Sequence, residues 1–212
     1  MTAQVNTAQL TAMMQDARQR TLELVEGLSA DQLMGPKIRT VNPLRWEIGH
    51  VAYWYEYFIL RSLDGEKSLL GARADELYDS IAVVHDTRWD LPLLSLEETL
   101  DYMQGVMDRL VDRLGTISHD TLASEVDSFI YQFGVFHEDM HTEAFLWARQ
   151  TLAYPTPKLV VAEDVAAERA AGPWPGYVEI PGGMFRMGAE KDAPFLFDNE
   201  KYAHDVTVAP FA

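Results

Sequence analysis

A mainly α chain, a four-helix bundle followed by a short β-containing segment, is predicted by three observations: four apolar stripes at helical spacing, a break in that spacing near residue 155, and a tail of short alternating runs. The first stripe is Leu10, Met14, Ala17, Thr21, Leu24 and Leu28, opening after Asn6 or Thr7 as N-cap. The second helix takes Asn42 as cap and Pro43 in the first turn, where a residue without an N–H leaves nothing unsatisfied. It carries Trp46, His50, Tyr53, Tyr57 and Leu60 on one face and fades at Asp64-Gly65.

The third helix opens with Ser95 and Glu98, a capping box in which each side chain meets the other's free backbone N–H. Its stripe is Leu96, Leu100, Met103, Met107, Leu110, Leu114 and Ile117. The fourth runs from about Val126 to Leu152 with Ile130, Gly134, His137, His141, Ala144, Phe145 and Ala148 down one side. The connection over residues 65–94 is too long for a tight hairpin and is expected to cross the bundle; connections of this length are commonly functional. No internal repeat is visible.

The bundle is therefore assigned to residues 1–155. Residues 156–176, an Ala/Glu-rich run ending in Gly172-Pro-Trp-Pro-Gly176, read as a linker. Residues 177–212, with a Gly182-Gly183 turn and the alternating run Asp205-Val-Thr-Val208, read as β structure too short to bury a core alone. The expectation is one complete bundle plus the start of a second domain.

Composition narrows the function. With 17 Lys+Arg against 33 Asp+Glu the 212-residue chain carries a formal charge of −16, which argues against nucleic acid or an anionic membrane surface as partner. Zero Cys removes disulfides, thiolate metal sites and thiol nucleophiles, so any metal must sit on His, Asp or Glu. The N-terminus has no basic segment followed by an apolar run and no stretch is long enough to span a bilayer; the chain reads as cytoplasmic.

His137 and His141 stand four apart on the inward stripe of the fourth helix, stacked one turn from each other. His50 replaces an apolar residue on the inward stripe of the second. Buried imidazoles need partners for both nitrogens, and three of them on two helices of a bundle point to a three-histidine metal site with coordination positions left open for chemistry. Nitrogen donors suit iron, zinc, nickel or copper alike. His85, His119 and His204 fall in connections and tail and read as solvated.

His137-Glu138-Asp139-Met140-His141 also matches H-E-x-x-H, with Glu138 in the place of a peptidase general base. The extended zinc-protease form fails, since Ala144 and Trp147 occupy the Gly and His positions. Glu138 and Glu143 are otherwise acceptors for the imidazoles or solvent-facing acids.

Two segments, NPLRWEIGHVAYWYEYFIL (Asn42–Leu60) and FHEDMHTEAF (Phe136–Phe145), resemble the DinB-like domain of the ergothioneine-type sulfoxide synthases, a non-haem iron family that includes a selenoneine-synthase branch. The tail IPGGMFRMG (Ile180–Gly188) and FDNEKYAHDV (Phe197–Val206) resembles the opening of the formylglycine-generating-enzyme-like domain, of C-type-lectin-like fold, that follows in that family. The resemblance implies that His50, His137 and His141 hold one Fe(2+), and that the enzyme uses O2 to form a carbon–chalcogen bond on the imidazole of hercynine. It places a catalytic tyrosine of the family in the second domain, past Ala212.

The loop Tyr78–Ser95 stands where the family carries residues for the carboxylates of a cysteine or γ-glutamylcysteine donor, and it departs from that pattern. Arg88 is its one obvious anion binder, or else a loop arginine paired to Asp86 or Asp90. The departure favours a selenosugar donor slightly over a thiol. Two other readings stay open on sequence alone: a DinB-like thiol transferase using zinc or nickel without oxygen, and a helical binding module with structural histidines.

Overall fold

The computed structural model describes residues 4–116, 122–160 and 176–212. Ile117 and His119, and the stretch 161–175 of the expected linker, lie outside the described residues. Two compact units emerge, a helical one over Val5–Leu159 and a second containing Val160–Ala212.

The helical unit is built from α1 (Thr7–Val25), α2 (Ala30–Met34), α3 (Leu44–Tyr55), a π-helical turn (Glu56–Arg61), α4 (Arg73–Tyr78), α5 (Leu96–Gly115) and α6 (Glu125–Thr151). The four long helices close a ring in which α1 packs on α6 and α5, and α3 packs on α5 and α6. Leu10, Met14, Trp46, Tyr55, Tyr131 and Phe145 are among its fully buried side chains. Among the described residues no helix is long and apolar enough to cross a membrane.

Local chemistry explains the boundaries. The backbone N–H of Gln9 donates to Asn6 Oδ1 at 2.8 Å, and that of Glu98 to Ser95 Oγ at 3.2 Å, so α1 and α5 begin at capping boxes. The helix bearing His50 starts one residue later than the Asn42–Pro43 reading predicts: Pro43 is the N-cap and gives no side-chain cap bond. Asn42 is freed to turn its amide elsewhere.

The second departure lies at the end of α3. The expected inward stripe continues to Tyr57, but the α-helix gives way to a π-helical turn in which Ser62 N–H donates to Tyr57 O at 3.0 Å. The wider turn shifts the face. Tyr57 comes out at 37% exposed while Ile59 and Leu60 go in. Glu56 also goes in, its carboxylate accepting from Tyr102 Oη at 2.9 Å, Ser68 Oγ at 2.7 Å and Leu69 N–H at 2.6 Å. Three donors compensate the burial of its charge.

The connection between the π-turn and α5 holds α4 and a 3₁₀ turn at His85–Thr87. Tyr78 at its centre is fully buried against α3, where a Cβ on Gly49 would lie 2.3 Å from the Tyr78 ring. The other close approach is between α3 and α6: a Cβ on Gly134 would lie 2.3 Å from Tyr55 Cε1. Glycine at these two positions lets α4 and α6 close onto the helix that carries His50.

In the second unit, β1 (Gly183–Met187) pairs antiparallel with β2 (His204–Val208), Phe185 opposite Val206, and an isolated bridge joins Ile180 to Phe211. Every residue of β1 is exposed, as expected of a two-stranded ladder with no core of its own.

Candidate metal centre

α3 delivers His50, and α6 delivers His137 and His141 one turn apart. The rings meet pairwise with centroids 5.3 Å (His50–His137), 4.9 Å (His50–His141) and 4.7 Å (His137–His141) apart. One ring nitrogen from each lies within 4.8 Å of the others. His50 is 5% exposed and His137 9%, while His141 is the most open of the three.

Hydrogen bonding fixes two of the tautomers. His50 Nδ1 is 2.8 Å from the Tyr78 carbonyl and His141 Nδ1 is 2.9 Å from Glu47 Oε2. Both partners accept only, so Nδ1–H is the donor in each ring and the neutral form carries its lone pair on Nε2. His137 differs: its Nδ1 is buried and has no hydrogen-bond partner.

Burial holds His50 down to about 3, with the neighbouring His141 adding to the shift and the Tyr78 carbonyl opposing it. Burial, then His141 and His50, hold His137 down to about 2. These two rings are neutral imidazoles at ordinary pH.

A histidine kept for packing alone would have its buried nitrogen satisfied. Three clustered imidazoles, two with Nδ1–H tied back and one with an orphaned nitrogen, fit a divalent first-row cation and leave positions open around it.

The surroundings are aromatic. Trp46 stacks on His50 at 4.8 Å and 8°, and Trp54 on His137 at 4.9 Å and 23°. Trp46 Nε1 donates to Leu77 O at 2.7 Å, so the last two residues of α4 pin both Trp46 and His50 through backbone carbonyls. Phe58 and Phe133 pack on Trp54.

Glu138 of the H-E-x-x-H run points elsewhere. It is fully buried, and its Oε1 accepts from Arg18 Nε at 2.9 Å and Thr21 Oγ1 at 2.8 Å, both on α1. The expectation that Glu138 orients an imidazole or faces solvent is replaced by an ion pair inside the bundle, because residue 138 lies on the α1 side of α6 while 137 and 141 face α3.

Arg88, the expected anion binder, is 9% exposed. Its Nη1 donates to Asn42 Oδ1 at 2.8 Å and its Nη2 to Val83 O at 3.3 Å, while Nε has no partner. Its Cζ lies over Trp46, 3.7 Å from the ring centroid. The carboxylates suggested as partners are engaged with others: Asp86 with His85 at 2.9 Å and Asp90 with Lys37 at 3.9 Å. His85 is not simply solvated, since its Nε2 also lies 2.9 Å from Val41 O.

Sequence reading passed over Glu47 and Tyr78. A carboxylate three residues before an inward histidine, on an otherwise apolar stretch, is a usable signal for Glu47. A backbone carbonyl leaves none.

The family comparison agrees with this architecture: the DinB superfamily description matches residues 13–145, which span all three histidines. The chain belongs to the DinB superfamily. Curated relatives of this DinB chain include proteins named hercynine oxygenase. That of Mycolicibacterium smegmatis is 31% identical over 201 residues, covering 92% of this chain and 44% of the relative. That of Mycolicibacterium thermoresistibile is 31% identical over 213 residues, covering 96% and 44%. That of Mycobacterium tuberculosis is 32% identical over 205 residues, covering 96% and 46%. The DinB chain thus spans less than half the length of the relatives it matches.

Proposed function

We propose that this DinB chain carries the iron site of an O2-dependent enzyme that forms a carbon–chalcogen bond on the imidazole of hercynine, with His50, His137 and His141 as ligands of Fe(2+). The observation that carries the reading is the cluster of three imidazoles, two of them neutral and buried with the orphaned nitrogen on His137, in a chain 31–32% identical to proteins named hercynine oxygenase. When bound, Fe(2+) supplies the redox chemistry that O2 needs to react.

The chain's own residues do the positioning. Glu47 and the Tyr78 carbonyl hold the Nδ1 protons of His141 and His50, which keeps both rings turned with Nε2 toward the cluster. Trp46 and Trp54 wall the rings and exclude water, which strengthens electrostatic interactions inside. Phe58, partly exposed and packed on Trp54, offers a face to a quaternary ammonium. The tail Ile180–Val206 is read, on its resemblance, as the opening of a formylglycine-generating-enzyme-like domain.

For the donor, a selenosugar is preferred over cysteine or γ-glutamylcysteine. What supports it is the placement of Arg88, whose terminal nitrogens and face are committed within the protein, so the loop presents no free guanidinium for a donor carboxylate.

The test is Fe(2+)-reconstituted full-length protein given hercynine, O2 and each donor in turn, with products read by mass spectrometry and O2 uptake. A selenium adduct of hercynine is expected. A sulfoxide with thiol donors alone would overturn the donor assignment, and anaerobic turnover with zinc or nickel would favour a thiol transferase. No product from any donor would sink the reading.

A further inference from the structure

Two routes run from Arg88 to the histidine cluster, and neither involves a substrate. In the first, Arg88 Nη1 donates to Asn42 Oδ1 at 2.8 Å, Asn42 Nδ2 donates to Glu47 Oε1 at 2.6 Å, and Glu47 Oε2 accepts from His141 Nδ1 at 2.9 Å. In the second, the guanidinium Cζ lies 3.7 Å from the ring centroid of Trp46, whose indole is stacked at 4.8 Å and 8° on His50. One side chain from the 79–94 connection therefore braces ligands on two different helices.

We propose that Arg88 is a positioning residue of the metal centre, acting through Asn42 and Glu47 on His141 and through Trp46 on His50. Glu47 is 2% exposed, and a carboxylate that deep needs compensation. His141 supplies a donor to one oxygen and the Asn42 amide to the other; Arg88 orients that amide by taking its carbonyl end and places a positive charge behind it. The planar, delocalised guanidinium can stack on an indole and donate in its own plane at once, which a lysine cannot do. The same geometry explains why Asn42 stands outside α3 instead of capping it: its amide bridges Glu47 and Arg88.

The route has a structural consequence. Carboxylate partners of metal-bound imidazoles fix ring orientation and raise ligand basicity, and their loss typically costs 10–100-fold in metal affinity. Arg88 acts one step further out, so its effect should be carried largely by Glu47. That dependence separates it from an anion binder, whose removal changes the donor KM and leaves metal affinity alone.

The inference rests on the three-histidine reading, and the experiment is built to distinguish the two. Co(2+) is titrated into the protein without hercynine or donor, its dissociation constant and ligand-field absorption bands being read for wild type, Glu47→Gln, Arg88→Met, Arg88→Lys and the double variant Glu47→Gln/Arg88→Met, with folding checked by circular dichroism. Expected are about a tenfold loss of affinity with shifted bands for Glu47→Gln, a smaller loss for Arg88→Met, and a double variant worse than Glu47→Gln by less than the full Arg88→Met loss, because the Asn42 route is already broken there and only the Trp46 route remains. Arg88→Lys keeps the charge and is expected between wild type and Arg88→Met; it decides the matter if Arg88→Met fails to fold. Wild-type affinity and spectra in the folded Arg88 variants, or full additivity in the double variant, would overturn the proposal. A wild type that binds no Co(2+) would overturn the metal-centre reading beneath it.

Discussion

Replacing Glu138 with Gln separates two roles that the H-E-x-x-H run allows. In the structure Glu138 is fully buried and its Oε1 holds Arg18 Nε at 2.9 Å, the arginine side chain being 8% exposed. The substitution leaves that guanidinium with Met103 O at 2.9 Å as its other acceptor and no negative partner. Breaking one side of a buried pair costs about 3–5 kcal/mol. At about 2–4 °C per kcal/mol for a chain of this size, the melting temperature should fall by about 6–20 °C. The assay is thermal and urea unfolding of Glu138→Gln beside wild type, with Co(2+) affinity measured well below the transition. Metal binding should persist, because Glu138 hydrogen-bonds α1 and none of the three histidines. Exchanging both partners, Glu138→Met with Arg18→Met, should recover much of the loss, since an apolar pair has no desolvation penalty. A Glu138→Gln protein that melts within about 2 °C of wild type would refute the buried-pair reasoning, and one that also lost turnover would restore the general-base role.

Two further outcomes follow from the geometry. Gly134→Ala sets a Cβ 2.3 Å from the Tyr55 ring; overpacking of about 1–3 kcal/mol should outweigh the roughly 1 kcal/mol gained in helix propensity, with a lower urea midpoint and weaker Co(2+) binding as His137 moves from His50, whereas unchanged values would show that α3 and α6 have slack there. The metal-free protein should also lose stability as pH falls below about 6.5, because His50 and His137 are held down to about 3 and about 2 and the unfolded chain takes up protons first. That amounts to about 2 kcal/mol for each of these histidines at pH 5; a urea midpoint flat from pH 7.5 to 5 would contradict it, and saturating Co(2+) should steepen the loss by competing with protons.

Periodicity and capping chemistry alone determined a good deal of this protein. The four long helices follow from 3.6-residue stripes, α5 begins at the Ser95–Glu98 box as its residue types require, and β2 covers the alternating run at Asp205–Val208. His50, His137 and His141 were legible because each interrupts an apolar stripe, and burial of an imidazole demands a reason. Those signals are local: they depend on residues within a turn or two of one another.

What the tertiary structure decided involves partners far apart in the chain. The π-turn that exposes Tyr57 and buries Glu56 depends on Ser68, Leu69 and Tyr102. The fate of Glu138 was set by Arg18, 120 positions away, and that of Asn42 by Arg88 and Glu47 in place of its own helix. The Tyr78 carbonyl that orients His50 has no side-chain signature at all. A stripe tells which face turns inward; which buried polar group meets which is settled only when the helices close, because an unpaired polar atom in the interior costs enough to select among packings.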